Sequence, residues 1–143
     1  MLVRALGLKS TAAPGFSDVK ATDWYANDLA AAFEAGLIQG TGDNKFSPST
    51  KVTRQELTVI LSRALKLTGQ ELKGTASVTF ADQSQIAAYA KDSVELLSSA
   101  SIISGVSGKN GESGIYFNPN AATTRETAAS ALYLLLKAAG LSE

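Results

Sequence analysis

Residues 52–67 read VTRQELTVILSRALKL, a stretch that contains both a helix start and the helix that follows it. Thr53 and Glu56 have the spacing of a capping box, in which each side chain bonds a backbone N–H group that the first helical turn leaves unpaired. After them, apolar residues recur at the i, i+3, i+4, i+7, i+8 spacing of one helix face: Leu57, Ile60, Leu61, Ala64 and Leu65. We therefore expect an amphipathic helix that begins at Thr53.

The chain contains this pattern more than once. Three short motifs recur in the same order: Phe16-x-Asp18 as Phe80-x-Asp82, Phe46-x-Pro48 as Phe117-x-Pro119, and Thr53-Arg54 as Thr124-Arg125. The N-terminal residues MLVRALGL align with ILSRALKL at 60–67. Such self-similarity indicates a repeat architecture. We therefore expect the C-terminal helix remnant of a preceding repeat at 1–10 and complete repeats at 16–67 and 80–139, which together form one domain.

Each complete repeat also has an apolar stripe ahead of its capped helix. In the first repeat we expect this helix to begin near Thr22-Asp23, where a capping residue precedes an acid. The stripe continues through Ala26, Leu29, Ala30, Phe33 and Leu37. The only β-branched run, at 77–80, is too short for a convincing strand. The expected fold class is therefore all-α, with helix-loop-helix repeats.

The second capped helix differs from the first at its start. Residues 53–56 read TRQE, but the matching residues 124–127 read TRET, so the acid has moved one place. The capping box is lost in this register, unless Thr123 is the cap and Glu126 lies at N3. The two complete repeats are therefore not expected to be equivalent.

Composition excludes several classes of function. The 13 Lys+Arg and 13 Asp+Glu give a formal net charge of zero, which argues against a basic nucleic-acid binder. The absence of cysteine and histidine removes disulfides, the usual zinc sites and the Ser-His-Asp triad. No stretch is long and apolar enough for a membrane span. We expect no metal, no cofactor and no enzyme activity; a carboxylate-based hydrolase is the catalytic alternative.

Taken together, the motifs resemble the S-layer homology (SLH) repeat. The resemblance rests on Phe16-x-Asp18, Trp24, Gly36-Leu37-Ile38-x-Gly40, Gly42-Asp43-x-x-Phe46-x-Pro48 and VTRQE at 52–56. It implies helical repeats packed as a prism with pseudo-threefold symmetry, here a partial one. It also implies an extracellular module at the cell wall or S-layer of a bacterium. Such a module anchors its protein by binding a secondary cell-wall polysaccharide, an anionic and often pyruvylated glycan, without a covalent bond.

Arg54 and Arg125 are the first candidates for contact with that polymer. Each lies at N1 of a helix, where the helix dipole disfavours a cation. An arginine beside unpaired backbone N–H groups forms a pocket for a carboxylate or a phosphate. Alternatively, the arginine pairs with Asp18, Asp82 or Asp43 and joins neighbouring repeats. We expect the site around Arg54 to be the stronger of the two.

The other candidate ligand-binding residues are aromatic, acidic or glycine: Trp24, Asp18, Asp82, Gly40, Gly42 and Gly105. The tryptophan either stacks on a sugar ring or fills the core. The two aspartates either accept hydrogen bonds from sugar hydroxyls or cap a turn. The glycines allow positive φ, which either lets backbone N–H groups approach a ligand or simply forms turns.

Two further interpretations concern protein partners. The first is a protein–protein interaction module in S-layer assembly. The second is a homodimer, because the truncated first repeat leaves apolar helix faces uncovered. Residues 1–8 form about two helical turns, too few to be stable alone. They dock either on their own chain or on a second copy, and we expect the homodimer.

Overall fold

The computed structural model describes residues 1–74 and 76–141. Within them the chain is mostly helical. The α-helices are α1 Leu2–Ala5, α2 Ala26–Glu34, α3 Arg54–Leu67, α4 Lys91–Ser99 and α5 Arg125–Ala138. Two 3₁₀ turns, Gln83–Gln85 and Ala88–Ala90, precede α4, and two strands, β1 Val106–Ser107 and β2 Ile115–Tyr116, follow it. The chain divides into two compact units, Met1–Thr50 and Lys51–Glu143.

The packed helix pairs cross the limits of the sequence repeats. In the first unit α1 packs against α2, and in the second unit α3 packs against α4 and α5. In the repeat alignment, α1 and α3 are final helices, whereas α2 and α4 are the first helices of the repeats that follow. The final helix of one repeat therefore packs against the first helix of the next.

The first unit is held together by α1, α2 and a small cluster of aromatic and aliphatic side chains. The cluster consists of Phe16, Val19, Ala26 and Leu29, with Tyr25, Ile38 and Phe46 packed against it. On α1, Val3 is buried, and Arg4 Nε lies 3.3 Å from Asp28 Oδ2 on α2. Apolar burial matters more here than the ion pair, which is largely exposed. α1 thus docks on its own chain.

α2 is shorter than the sequence predicts. It spans Ala26–Glu34 and does not begin near Thr22-Asp23, so that expectation is wrong. The Asp23 carboxylate instead accepts the backbone N–H of Lys20 at 2.9 Å and closes a turn ahead of the helix. Leu37, expected on the helical stripe, lies beyond the helix end but is still buried.

The two long helices begin differently. At α3 the predicted capping box is confirmed: Thr53 Oγ1 accepts the Glu56 N–H at 3.3 Å, and Glu56 Oε2 accepts the Thr53 N–H at 2.7 Å. At α5 the cap is Thr124, whose Oγ1 accepts the Thr127 N–H at 3.1 Å. The alternative register, with Thr123 as the cap, is therefore wrong. Because N3 of α5 is a threonine, this helix keeps only half of the box.

A small antiparallel sheet lies in the connection between α4 and α5. Its strands β1 and β2 pair Val106 with Tyr116 and Ser107 with Ile115. The all-α expectation is therefore corrected in this connection, where the longer loop of the second repeat folds into a hairpin. Two-residue strands carry too little alternation to be recognised in a sequence. The β-branched run at 77–80 contains no strand.

Candidate functional site

Arg54 lies at the first position of α3 and reaches into the second repeat. Its Nε donates to the carbonyl oxygen of Phe117 at 2.8 Å, and its Nη2 donates to that of Ser104 at 2.8 Å. The guanidinium also lies over the Phe117 ring, with 5.2 Å between Cζ and the ring centroid. Arg54 thus joins neighbouring repeats, but through carbonyl oxygens and a ring rather than by an ion pair with Asp82.

The charge of Arg54 is partly withdrawn from water. Burial lowers the pKa of its guanidinium, and the charge of the nearby Asp82 opposes that shift. Arginine nonetheless stays protonated at physiological pH. The two hydrogen bonds above use two of the five N–H groups of a guanidinium. The other three have no acceptor among the described residues, so a half-buried cation with unused donors lies at the start of α3.

The backbone N–H groups at the start of α3 are all paired. The Arg54 N–H donates to the carbonyl oxygen of Ala121 at 2.9 Å, and the Gln55 N–H donates to that of Pro119 at 3.1 Å. The Glu56 N–H is bonded by the cap. The predicted combination of Arg54 with unpaired N–H groups is therefore wrong, because the loop before α5 satisfies them. An anion at this place would meet side-chain donors only.

Gln55, which the sequence did not single out, supports the same junction. The side chain is 7% exposed; its Nε2 donates to Asn120 Oδ1 at 2.9 Å, and its Oε1 accepts the Ala87 N–H at 3.0 Å. One amide therefore joins the loop before α5 to the turn before α4. Both partners are distant in sequence, so no local pattern marks Gln55 beyond its position beside Arg54.

Arg125 is the open counterpart of Arg54. It is exposed, and its side chain makes no hydrogen bond or ion pair with the described residues. The backbone N–H groups of Arg125 and Glu126 also have no acceptor there, whereas Thr124 caps the next N–H of α5. The predicted combination of an arginine with unpaired N–H groups is thus found at α5 and not at α3.

Exposed aromatic rings lie at matching positions in the two complete repeats. Trp24 is 84% exposed and meets Tyr25 edge-on, with 5.4 Å between ring centroids. Tyr89 is 61% exposed; partial burial raises the pKa of its hydroxyl, and the charge of Glu56 adds to the shift. The core-filling interpretation of Trp24 is wrong, because its ring lies in solvent. Both rings have a face available for stacking.

Asp18 and Asp82 hold loops in the same way in the two repeats. Asp18 Oδ1 and Oδ2 accept the backbone N–H groups of Phe46 and Ser47 at 2.9 and 2.8 Å. Asp82 makes the equivalent pair of bonds in the second repeat, at 2.8 and 2.7 Å. The bond from the Phe46 N–H is the main reason that the pKa of Asp18 is lowered. Both carboxylates therefore cap turns, and Asp82 is buried, with no surface to offer a sugar.

The three candidate glycines differ in what they allow. Gly40 has φ +81°, and a Cβ atom there would lie 2.6 Å from the Phe16 ring, so this position requires glycine for its turn. Gly105 lacks positive φ, against expectation; a Cβ atom would lie 2.8 Å from the Phe80 ring, so close packing requires it. Gly42 has φ +102° and open space around it.

Neither a metal site nor a membrane helix occurs in the part of the chain that the structure describes. No three acidic side chains converge there as metal ligands. No helix there is long and apolar enough to cross a membrane.

Comparison with known proteins matches most of the chain. A sequence model of the S-layer homology domain matches residues 15–58 and 79–129. The chain is 37% identical to an amylopullulanase of Thermoanaerobacterium thermosulfurigenes, 38% to exoglucanase XynX of Acetivibrio thermocellus and 36% to the surface-layer 125 kDa protein of Lysinibacillus sphaericus. These alignments cover 98%, 96% and 88% of this chain, but only 7%, 12% and 10% of the three relatives. The chain thus spans about a tenth of the length of these relatives.

Proposed function

The chain belongs to the S-layer homology domain family, and on this basis we propose that it is a non-catalytic module that anchors a longer protein at the bacterial cell wall. Its relatives include a surface-layer protein, an S-layer protein of Bacillus anthracis and the middle cell wall protein of Brevibacillus brevis. Enzymes are among the relatives too, but the shared segment is a small fraction of each. This favours anchoring outside the cell over catalysis.

The proposed ligand is an anionic cell-wall polysaccharide, with a pyruvylated glycan as the expected form. One observation carries this proposal: Arg54 and Arg125 both lie at helix N-termini, and neither has a carboxylate within ion-pair distance among the described residues. A cation at this position costs about 0.3–1 kcal/mol. A bound carboxylate would remove that cost and accept charge-assisted hydrogen bonds.

The two arginines would contribute different donors. At α5, the backbone N–H groups of Arg125 and Glu126 have no acceptor among the described residues, and the exposed Arg125 side chain starts from the same helical turn. At α3, Arg54 offers only its remaining side-chain donors, because two carbonyl oxygens already use the others. The geometry therefore supports Arg125 as the stronger anion contact, the reverse of the ranking expected from the sequence. The exposed rings of Trp24 and Tyr89 would stack on apolar sugar faces.

Binding to purified wall sacculi, with and without their attached polymer, tests the proposal. We expect the chain to sediment with intact sacculi and to stay in solution after the polymer is stripped. Arg125→Ala should weaken binding by about tenfold or more, since one charge-assisted contact is worth roughly 1.5–3 kcal/mol. Lys137→Ala removes an exposed cation from the other end of α5 and is the matched control. Undiminished binding to stripped sacculi would overturn the glycan ligand.

The second candidate function is a protein–protein module, including the homodimer. The observation in its favour is an apolar surface on and after α5, where Tyr133, Leu134 and Leu141 are exposed. Since α1 packs against α2 in its own chain, a dimer would use the α5 surface. Light scattering at several concentrations separates the outcomes. A mass that rises with concentration supports pairing, whereas a constant monomer mass removes the homodimer. The pseudo-threefold prism likewise stays a proposal drawn from the family.

A further inference from the structure

The connection between α4 and α5 contains a pocket whose lining includes neither Arg54 nor Tyr89. Its volume is about 400 Å³, within the usual range of small-molecule sites, ~300–1,000 Å³. Most of its lining residues are polar, and the largest of them are Gln85, Lys109, Glu112, Tyr116, Asn118 and Asn120. We call this site the hairpin pocket, because the β1–β2 hairpin forms one of its walls.

Three amide side chains line the hairpin pocket with hydrogen-bonding capacity to spare. Asn120 uses its Oδ1, which accepts from Gln55, and its amide N–H groups are unpaired among the described residues. The side chains of Gln85 and Asn118 have no hydrogen-bond partner among those residues. A free amide presents two N–H donors and a carbonyl acceptor in one plane. Such a pairing of donor and acceptor matches the adjacent hydroxyl groups of a sugar ring, which also donate and accept.

The charge of the hairpin pocket distinguishes it from the two arginines. Lys109 and Glu112 are the charged residues of its lining, and their formal charges cancel. Tyr116 adds a ring with an apolar face and a polar hydroxyl. A pocket without net charge, with polar and apolar surface in similar amounts and one aromatic ring, favours an uncharged, hydroxyl-rich ligand over a carboxylate or a phosphate.

The hairpin is specific to the longer loop of the second repeat. In the first repeat, the matching loop closes as a tight turn, in which Gly42 pairs with Lys45. There the Thr41 N–H donates to the Lys45 carbonyl oxygen at 2.8 Å. The added residues of the second loop extend this turn into β1 and β2, and the extension supplies the wall that carries Lys109, Glu112 and Tyr116.

We propose that the hairpin pocket binds an uncharged sugar residue of the wall glycan through the amides of Gln85, Asn118 and Asn120. The inference rests on the proposed function, because the sugar would belong to the polymer that anchors the chain. It adds a neutral subsite, specific to the second repeat, to the anionic contacts of the two arginines. The module would then recognise both a charged substituent and an unsubstituted ring.

NMR titration of the whole chain tests this proposal, with methyl glucoside and N-acetylglucosamine as neutral probes. We expect both probes to shift the side-chain amide signals of Gln85, Asn118 and Asn120. Gln85→Ala should weaken binding about fivefold, the effect of losing one neutral hydrogen bond. Gln83→Ala is the matched control, since Gln83 is an exposed glutamine in the same 3₁₀ turn and does not line the pocket.

Asn118→Gly provides a second variant with a different backbone requirement. Asn118 has φ +56°, which glycine adopts without strain, so the change removes the amide and keeps the loop. It should weaken sugar binding to a similar degree. Salt should change the affinity little, because no net charge is involved, and pyruvate should not displace the sugars.

The outcomes separate this inference from the proposed function. Absence of shifts at the three amides, or equal weakening by Gln83→Ala and Gln85→Ala, would overturn the hairpin pocket as a sugar site even if the chain binds sacculi. Displacement of the sugars by pyruvate would overturn its neutral character. Sugar shifts at the three amides in a chain that fails to bind sacculi would instead overturn the anchoring proposal and leave the pocket assignment standing.

Discussion

Removing the guanidinium of Arg54 should destabilise the unit that contains α3, because Arg54 bonds two carbonyl groups of the next repeat. In Arg54→Ala, the carbonyl oxygens of Phe117 and Ser104 lose their donors, and the Phe117 ring loses its cation. The two carbonyl groups differ in access to water. Phe117 is 0% exposed, so water cannot readily replace the lost donor, whereas Ser104 is exposed.

The expected magnitude follows from this difference. An unpaired carbonyl at buried Phe117 costs about 1–3 kcal/mol, and the loss at hydrated Ser104 adds about 0.5 kcal/mol. The lost cation–ring contact adds about 0.5–1 kcal/mol. Removal of a cation from a helix N-terminus returns about 0.3–1 kcal/mol. The free energy of unfolding should therefore fall by about 1–4 kcal/mol, with the centre of that range between 2 and 3 kcal/mol.

Thermal and urea unfolding, followed by circular dichroism, measure this loss. For a chain of this length, 1 kcal/mol corresponds to roughly 3–4 °C in Tm, so a loss at the centre of the range lowers Tm by about 6–12 °C. Arg125→Ala removes an exposed arginine from the same helix position without loss of a hydrogen bond and should raise the free energy of unfolding by about 0.3–1 kcal/mol. Arg54→Lys should give an intermediate value, because an ammonium group lacks the planar fork of a guanidinium. Equal losses in Arg54→Ala and Arg125→Ala would refute the reasoning.

Three further substitutions test other parts of the description. Trp24→Ala should leave Tm unchanged within about 1 °C, because the ring is 84% exposed. The same change should weaken binding to sacculi. A lower Tm with unchanged binding would contradict a role of Trp24 in ligand binding. Thr127→Glu should complete the capping box on Thr124 and stabilise α5 by about 0.5 kcal/mol. Urea unfolding would show this as a higher midpoint concentration. A lower midpoint would argue against Thr124 as the cap. The folded-state pKa of Asp18 lies below its ordinary value of 3.8, so Asp18 contributes stability above that pH and loses it as the pH falls through the folded-state pKa. Asp18→Asn should therefore reduce the slope of the free energy of unfolding against pH on the acid side. Unfolding curves of both proteins at a series of pH values below 3.8 measure this slope. The same slope in both proteins would show that this carboxylate is not responsible.

Features encoded within one helical turn could be predicted from the sequence. The capping box of Thr53 and Glu56 is such a feature, since both partners lie three residues apart and their chemistry is self-contained. The apolar face of α3 is another, because its period depends on the helix alone. The start of α2 was predicted too early, at Thr22-Asp23, because the Asp23 carboxylate bonds the N–H of Lys20, which precedes it, and not one inside the helix.

Features that depend on distant residues could not be predicted in this way. Arg54 meets acceptors 50 and 63 residues along the chain, and the sequence marked the arginine without marking Ser104 or Phe117 as its partners. The same distant loop pairs the backbone N–H groups of Arg54 and Gln55, so an anion at the start of α3 would meet side-chain donors only. At α5 the backbone N–H groups of Arg125 and Glu126 have no acceptor among the described residues, and the anion contact of Arg125 stays a prediction. The sequence also could not predict whether Trp24 is buried or exposed, because tryptophan occurs both in cores and at surfaces.

The pairing of helices from consecutive repeats constrains which substitutions the chain can accept. The sequence duplicates in blocks that end after the second helix of each repeat, yet α1 with α2 and α3 with α4 are partners drawn from consecutive blocks. A single excised block, 16–67, would hold α2 without α1 and α3 without α4. The sequence repeat and the packed helix pair are therefore different units, and the helix packing lies at the junction between blocks. A change on a helix face therefore has to be matched in the neighbouring block, and so does a change in the loops that bond Arg54 and Gln55 of the preceding block.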